Sequence, residues 1–465
     1  MPEYKTPGVY IEEIRRLPPS IASVETAIPA FIGYTQNAQR KEPDDLRNIP
    51  WRITSMLEYE QYFGGPQPET GITITIDTTG GARPDVQGKI NTRSNYLMYY
   101  SLQMYFANGG GPCYIVSVGD YTGGGVITQA TLLAGLDEVA KVNEVTLILF
   151  PDGTNMTEAG SYYSLYMEAL DQCRDLKDRF AVMDVYINPE LTRDENITAA
   201  RNGISESNER LKYGAIYYPR INAQISYQYS GDETVNIIGK GDATLTGTLA
   251  ELKSKNNAYY FMAKAAIDDI EVLLPSSSAV VGKYAETDNS RGVWKAPANV
   301  NLDLVEGPEF LITTKEQENL NVDTTDGKSI NVIRSFTGRG AAIIWGARTL
   351  AGNDNEWRYI PVRRFFNMVE ESTKNATEQF VFEPNDLNTW LRVKSMISNY
   401  LTQQWKAGAL QGTTPAQAYF VRVGLNETMT ELDIWEGRMI IEIGMAVVRP
   451  AEFIILKFMH KMLSE

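Results

Sequence analysis

Read from the N-terminus, the first apolar pattern is a short alternating run, Val9-Tyr10-Ile11-Glu12-Glu13-Ile14, set between Pro7-Gly8 and Pro18-Pro19. Prolines on both sides forbid a helix of useful length, so residues 1–20 are predicted to form an extended arm. Residues 21–35 (IASVETAIPAFIGYT) read as a strand entering a core, with Gly33 near its end. Residues 36–95 are polar and rich in Gly and Pro, and they enclose the β-branched run Gly71-Ile-Thr-Ile-Thr-Ile76, which predicts a β-rich insertion.

From about residue 96 the pattern alternates between helix and buried strand. Tyr96 to Ala107 reads as a helix, and Cys113 to Val118 as a strand. A helix over 129–141 then precedes the strand Val145 to Phe150, and a helix over 158–177 precedes Phe180 to Asp184; Tyr213 to Pro219 is a further short strand. This alternation predicts an α/β layer, the core of the molecule, in residues 21–35 and 96–220. Residues 221–258 are polar and hairpin-like and are placed as a surface insertion.

Residues 259–448 are assigned to the C-terminal part of the core. Helical character resumes over 259–272, and Ile330 to Arg334 and Ala341 to Trp345 read as strands about a turn at Gly338 to Gly340. Pro361 fits the first turn of a helix carrying Val362, Phe365, Phe366 and Val369 at i, i+3, i+4 and i+7. A second helix, Asp386 to Ala407, is capped by Asn385 in this reading, with Leu387, Trp390, Leu391, Ile397 and Leu401 along one side. Residues 438–448 (RMIIEIGMAVV) and 453–459 (FIILKFM) are β-prone runs separated by Arg449-Pro450. The last is apolar and stands at the end of the sequence, so 449–465 reads as a second arm; it is expected either to pack as an edge strand of the chain's own sheet or, like the first arm, to pair with strands of other subunits. The fold class is therefore α/β with α+β character: a mixed sheet flanked by helices, extended β arms at both ends and β-rich insertions.

Composition removes several functions. With 43 Lys+Arg against 58 Asp+Glu the formal net charge is −15, which argues against nucleic acid as a partner. No apolar stretch approaches the length of a membrane span, and the acids and prolines of the first residues do not suit an export signal, so synthesis in the cytoplasm without membrane insertion is expected. One histidine, His460, and two cysteines, Cys113 and Cys173, leave no set for a Ser-His-Asp triad or a His/Cys zinc site. The cysteines read as buried free thiols. Gly338-Arg-Gly340 and Gly239-Lys-Gly241 extend to no nucleotide loop. Neither catalytic residues nor a cofactor nor a metal are assigned. Abundant carboxylates and aromatics leave a carbohydrate hydrolase as one competitor, and a capsid or surface-layer shell as another.

Several blocks occur in a specific order: Tyr4-Lys-Thr-Pro-Gly-Val-Tyr-Ile-Glu-Glu13, Phe31-Ile-Gly-Tyr34, Pro275-Ser-Ser277, Trp294-Lys-Ala-Pro-Ala-Asn299, Trp345-Gly-Ala-Arg-Thr-Leu350, Tyr359 to Phe366, and Pro450-Ala-Glu-Phe453. With these the chain resembles, over nearly its whole length, the contractile tail sheath proteins of phages and related contractile injection particles. The resemblance implies a structural subunit that forms stacked hexameric rings around an inner tube and contracts without nucleotide hydrolysis. Its partners would be copies of itself, the inner tube protein, and baseplate and terminator or cap proteins, within a phage tail or a released tail-like particle. On that reading Val9, Tyr10, Ile11, Glu12, Glu13 and Ile14 make the N-terminal inter-subunit strand. Ile441, Ile443, Phe453, Ile454, Ile455, Leu456 and Phe458 make the C-terminal ones. Arg392, Lys394 and Lys406, on the 386–407 helix, are the candidate contacts to an acidic tube.

Overall fold

The computed structural model describes residues 20–456 apart from 82, 205 and 206. The six residues Val9 to Ile14, together with Phe458 and His460, therefore lie outside the described residues. The described residues divide into two compact units, the larger comprising 25–370 with 449–456 and the smaller comprising 371–448 with 20–24. Helix Ile360–Thr377 carries the chain from the first into the second.

The larger unit is built on a nine-stranded sheet, in the order Val300–Asn301, Gly340–Ile344, Asn331–Phe336, Gly214–Tyr218, Phe180–Asp184, Leu147–Leu149, Pro29–Tyr34, Cys113–Gly119, Trp51–Ile53. From Asn331–Phe336 to Cys113–Gly119 every neighbouring pair is parallel, and the strands outside them run antiparallel. Parallel strands must be covered on both faces, which is why these segments read as unbroken apolar runs; Pro29–Tyr34, Phe180–Asp184 and Gly214–Tyr218 are buried throughout. Their two-residue period divides the core. Phe31 packs on one side of the sheet with Tyr105, Val280 and Tyr284, whereas Ala30, Ile32 and Tyr34 pack on the other with Leu136, Tyr162 and Leu165.

The helices that provide these faces are Met98–Ala107 and Ser277–Arg291 on the first side, and Gln129–Val139 and Ala159–Leu176 on the second. The helix expected with Pro361 in its first turn is present as Ile360–Thr377, with Val362, Phe365 and Val369 buried and Phe366 half-buried against Trp357. Cys113 and Cys173 are free and buried. Burial pushes both thiols well up from their ordinary values.

The segments 36–95 and 221–258, read separately in the sequence, supply one four-stranded sheet in the order Gly247–Thr248, Asn236–Lys240, Thr70–Asp77, Asp85–Thr92. Thr70–Asp77 alternates as its sequence demands, with Ile72, Ile74 and Ile76 buried and the threonines between them half-exposed. Asn236–Lys240 lies parallel to it from Asn236↔Thr73 to Lys240↔Asp77. Each segment also contributes elsewhere. Trp51–Ile53 closes the edge of the central sheet, and Ile221–Ala223 pairs with Val272–Leu274 and Val305–Pro308. The helix expected over 259–272 is shorter, Asn257–Asp268, because Asn256 caps it through the Ala258 and Tyr259 amides and the chain then turns into Val272–Leu274.

In the smaller unit, helix Leu387–Lys406 buries Trp390, Val393, Met396, Ile397, Tyr400 and Leu401. Two sequence expectations are corrected here. Asp386, not Asn385, caps the helix by accepting from the Thr389 amide at 2.9 Å, while Asn385 accepts from the Trp390 indole. Leu387 and Leu391, placed in the buried stripe, are exposed. Tyr419–Arg422 and Glu442–Met445 form a two-stranded antiparallel sheet beside it.

Candidate subunit interface

Three of the ordered blocks, Trp345 to Leu350, Tyr359 to Phe366 and Pro450 to Phe453, meet at the root of the C-terminal segment. Asn331, in the central sheet, fixes Arg348 through its main chain: the Arg348 amide donates to Asn331 Oδ1 and Asn331 Nδ2 donates to the Arg348 carbonyl, both at 2.8 Å. The buried guanidinium then donates Nε to Glu452 Oε1 at 2.9 Å and an Nη to Oε2 at 2.6 Å. Asn321 Nδ2 and the Tyr359 hydroxyl add donors to the same carboxylate at 2.7 and 3.0 Å. Burial would raise the Glu452 pKa. The Arg348 fork, with Asn321 and Tyr359, overcomes it and holds the group below the ordinary glutamate value.

Beyond Glu452 the chain changes character at once. Phe453, Ile454, Ile455 and Leu456 are 68–80% exposed and have no strand partner among the described residues. A groove of about 790 Å³ opens beside them, lined by Ala298, Arg334, Trp345 and Tyr359 together with Phe453 and Ile454. Contiguous exposed apolar residues mark interaction sites.

Other blocks hold buried charge inside the larger unit. Arg364 is paired with Asp288 at 2.5 and 3.1 Å, both side chains being almost wholly buried, and it also donates to the Thr26 carbonyl at 2.8 Å. Thr26 in turn donates its hydroxyl to Asp288 at 2.6 Å. Gly33 is needed because a Cβ there would collide with Asp152 Oδ2 and Met98. Asp152 accepts the Tyr34, Leu97 and Met98 amides, and Asp184 accepts from Ser276 and Ser277. Burial raises both carboxyls to about 6, against these hydrogen bonds. Such values suit acid/base chemistry, but here the oxygens are enclosed by main-chain and seryl donors and serve the fold.

In the smaller unit the two-stranded sheet pairs Tyr419↔Met445, Phe420↔Gly444, Val421↔Ile443 and Arg422↔Glu442. Neither outer edge of these strands has a strand partner among the described residues. Ile443 thus sits in a strand with open pairing capacity, and Ile441, just before it, packs near Trp390, Val423 and Met429. The ring of Phe420 lies over Gly444, where a Cβ would meet it. Phe382 holds a left-handed φ of 70° with its side chain fully exposed, close in sequence to the exposed Leu387 and Leu391. Of the three basic residues named from the sequence, Arg392 is paired with Glu383 at 2.8 Å and Lys394 with Glu427 at 3.8 Å; Lys406 is exposed in the last helical turn. Sequence reasoning missed the Arg348–Glu452 pair. The available signal was one charge of each sign inside the otherwise apolar or small-residue blocks Trp345 to Leu350 and Pro450 to Phe453.

Comparison with known proteins bears on the same regions. A family model described as the phage tail sheath C-terminal domain matches residues 352–460. The chain is 31% identical to a chain of an extracellular contractile injection system, the PVC sheath complex in its contracted state, over 99% of both chains with a TM-score of 0.65. It is 32% identical to a chain of the anti-feeding prophage baseplate, solved with 6-fold symmetry, over 99% of this chain and 100% of that one with a TM-score of 0.64. The tail sheath protein of Vibrio phage KVP40 is 29% identical over 129 residues, a stretch that makes up 28% of this chain but only 19% of the phage protein.

Proposed function

This chain belongs to the contractile tail sheath proteins, and we propose that it polymerises as stacked hexameric rings around an inner tube and contracts from a metastable extended state to drive the tube into a target cell. Its role on this reading is structural and needs neither cofactor nor nucleotide. Copies of itself, the tube protein, the baseplate and a terminator or cap are its partners in a tail or tail-like particle. The contracted sheath and the 6-fold baseplate of its relatives support that geometry.

The observation that carries the proposal is an exposed apolar run, Phe453 to Leu456, on the same chain as a sheet, Tyr419–Arg422/Glu442–Met445, that has no further strand partner among the described residues; on this reading the run is the donor and the sheet the acceptor. An arm laid on such an edge forms about four main-chain hydrogen bonds of about 0.5–1.5 kcal/mol net each, a tether of a few kcal/mol. Because donor and acceptor are different surfaces, the contact is head-to-tail and grows into a helical assembly instead of closing on itself. Tethers that persist in both states transmit motion. The drive comes from further burial between subunit cores, about 2.5 kcal/mol per subunit for about 100 Å² of apolar surface.

Single cysteines at Ile454, Ile455 or Leu456 of one copy and at Phe420, Arg422 or Glu442 of another test the exchange, since the native thiols are buried. Oxidised sheaths should give cross-linked pairs between copies. No cross-link at any combination would remove the reading, and a requirement for ATP in the contraction of purified particles would remove its energetics. For the tube, Arg392 and Lys394 must act from within their pairs with Glu383 and Glu427, leaving Lys406 as the more available charge. Charge reversal of all three should impair tube-templated assembly if they face the tube.

A further inference from the structure

We propose that Glu452 is a clamp that fixes the root of the C-terminal arm to the larger unit, so that pull on the arm reaches the central sheet instead of peeling the tail away. This rests on the arm-exchange reading above and names the residue through which it works.

The placement of the donors makes the case. Arg348 and Tyr359, paired in an antiparallel bridge, and Asn321, at the end of helix Thr314–Asn321, all converge on one carboxylate. That carboxylate belongs to a segment with no regular structure of its own, and the described apolar residues that follow it, Phe453 to Leu456, are exposed. Upstream, Arg449 adds a side-chain bond to the Asn355 carbonyl at 2.8 Å, itself exposed. Among the described residues of the arm, Glu452 is thus the last whose side chain is hydrogen-bonded to the larger unit. From it the path runs through Arg348 to Asn331, whose strand lies parallel to Gly214–Tyr218 inside the sheet. Arg348 also donates to the Asn321 and Gly352 carbonyls at 3.3 and 3.2 Å, so it serves the fold as well. Glu452 makes none of those fold contacts, which makes it the residue to change.

The test uses the full-length chain in complete particles, with Glu452→Gln beside the parent and beside a chain lacking residues 453–465. The substitution leaves the buried Arg348 without its counter-charge, so it should lower melting of the unassembled subunit, and it should raise the mobility of a spin label placed at residue 453 several-fold. Triggered sheaths should then break during contraction several times more often by electron microscopy. Because Glu452→Gln carries that stability cost, Tyr359→Phe, which removes one donor and no charge, accompanies it; it should leave melting unchanged and raise breakage by less. Intact contraction at the parental rate, with loss of assembly in the 453–465 deletion, overturns the clamp and leaves arm exchange standing. Normal assembly and contraction of the deletion overturns both.

Discussion

Replacing Arg364 by Met puts the buried ion pair of the larger unit to a quantitative test. The guanidinium and the Asp288 carboxylate are only 3% and 4% exposed, and the pair is closed by Thr26, whose hydroxyl donates to Asp288 and whose carbonyl accepts from Arg364. Methionine has nearly the length to fill the space but leaves the carboxylate buried with one donor. Breaking a buried pair from one side costs about 3–5 kcal/mol, chiefly because the remaining charge stays desolvated. The lost bond to the Thr26 carbonyl and the contact of the guanidinium with the Tyr284 ring, 4.7 Å away, act in the same direction. Asp288→Asn alone should cost a similar amount by stranding the guanidinium. The double variant, with neither charge, should cost less than the sum by about 2–3 kcal/mol. The assay is native-state hydrogen exchange in urea on the unassembled subunit, read at Pro29–Tyr34, the strand that follows Thr26. High salt should change little, since a buried pair is poorly screened. A loss below about 1 kcal/mol for Arg364→Met, or additivity of the two changes, would refute the reasoning.

Other expectations follow from the same geometry. The Glu452 carboxyl titrates below its ordinary value of 4.5, so its contribution is complete above that value and is lost as pH falls through the depressed one; the mobility of a spin label at residue 453 should rise only on acidification. Phe382→Gly removes a fully exposed ring from a left-handed position and should stabilise the subunit by about 0.5–1 kcal/mol in denaturant titration, while weakening assembly if that ring docks on a partner. Gly33→Ala should destabilise by about 2–3 kcal/mol, because a Cβ there meets Asp152 and Met98 on buried sides; a neutral result in the same titration would contradict the close approach. Cys113 and Cys173 should resist alkylation until urea unfolds the chain, with labelling and loss of structure coinciding.

The parallel core was legible because its physics is local: a strand covered on both faces must be apolar along its length, as in Leu147–Leu149 and Gly214–Tyr218. The alternation of Ile72, Ile74 and Ile76 was legible for the opposite reason, one face being open. What remained hidden was partnership across the sequence. Nothing near Thr70–Asp77 announces that its neighbour is Asn236–Lys240, and nothing near Arg348 announces Glu452. Leu387 and Leu391 show a different limit. Their spacing fits a buried stripe, and periodicity cannot tell a face buried in its own unit from one left open. Asn385 and Asp386 are both good caps, and only the Thr389 amide decides between them.

The central claim is that the terminal arms bind copies of the chain into a sheath. Electron microscopy of the full chain expressed alone, beside versions lacking residues 1–20 or 453–465, tests it most directly. The account predicts hollow helical cylinders from the full chain and their loss in both truncations, with the truncated subunits still folded. Cylinders that form equally well without either arm would contradict it.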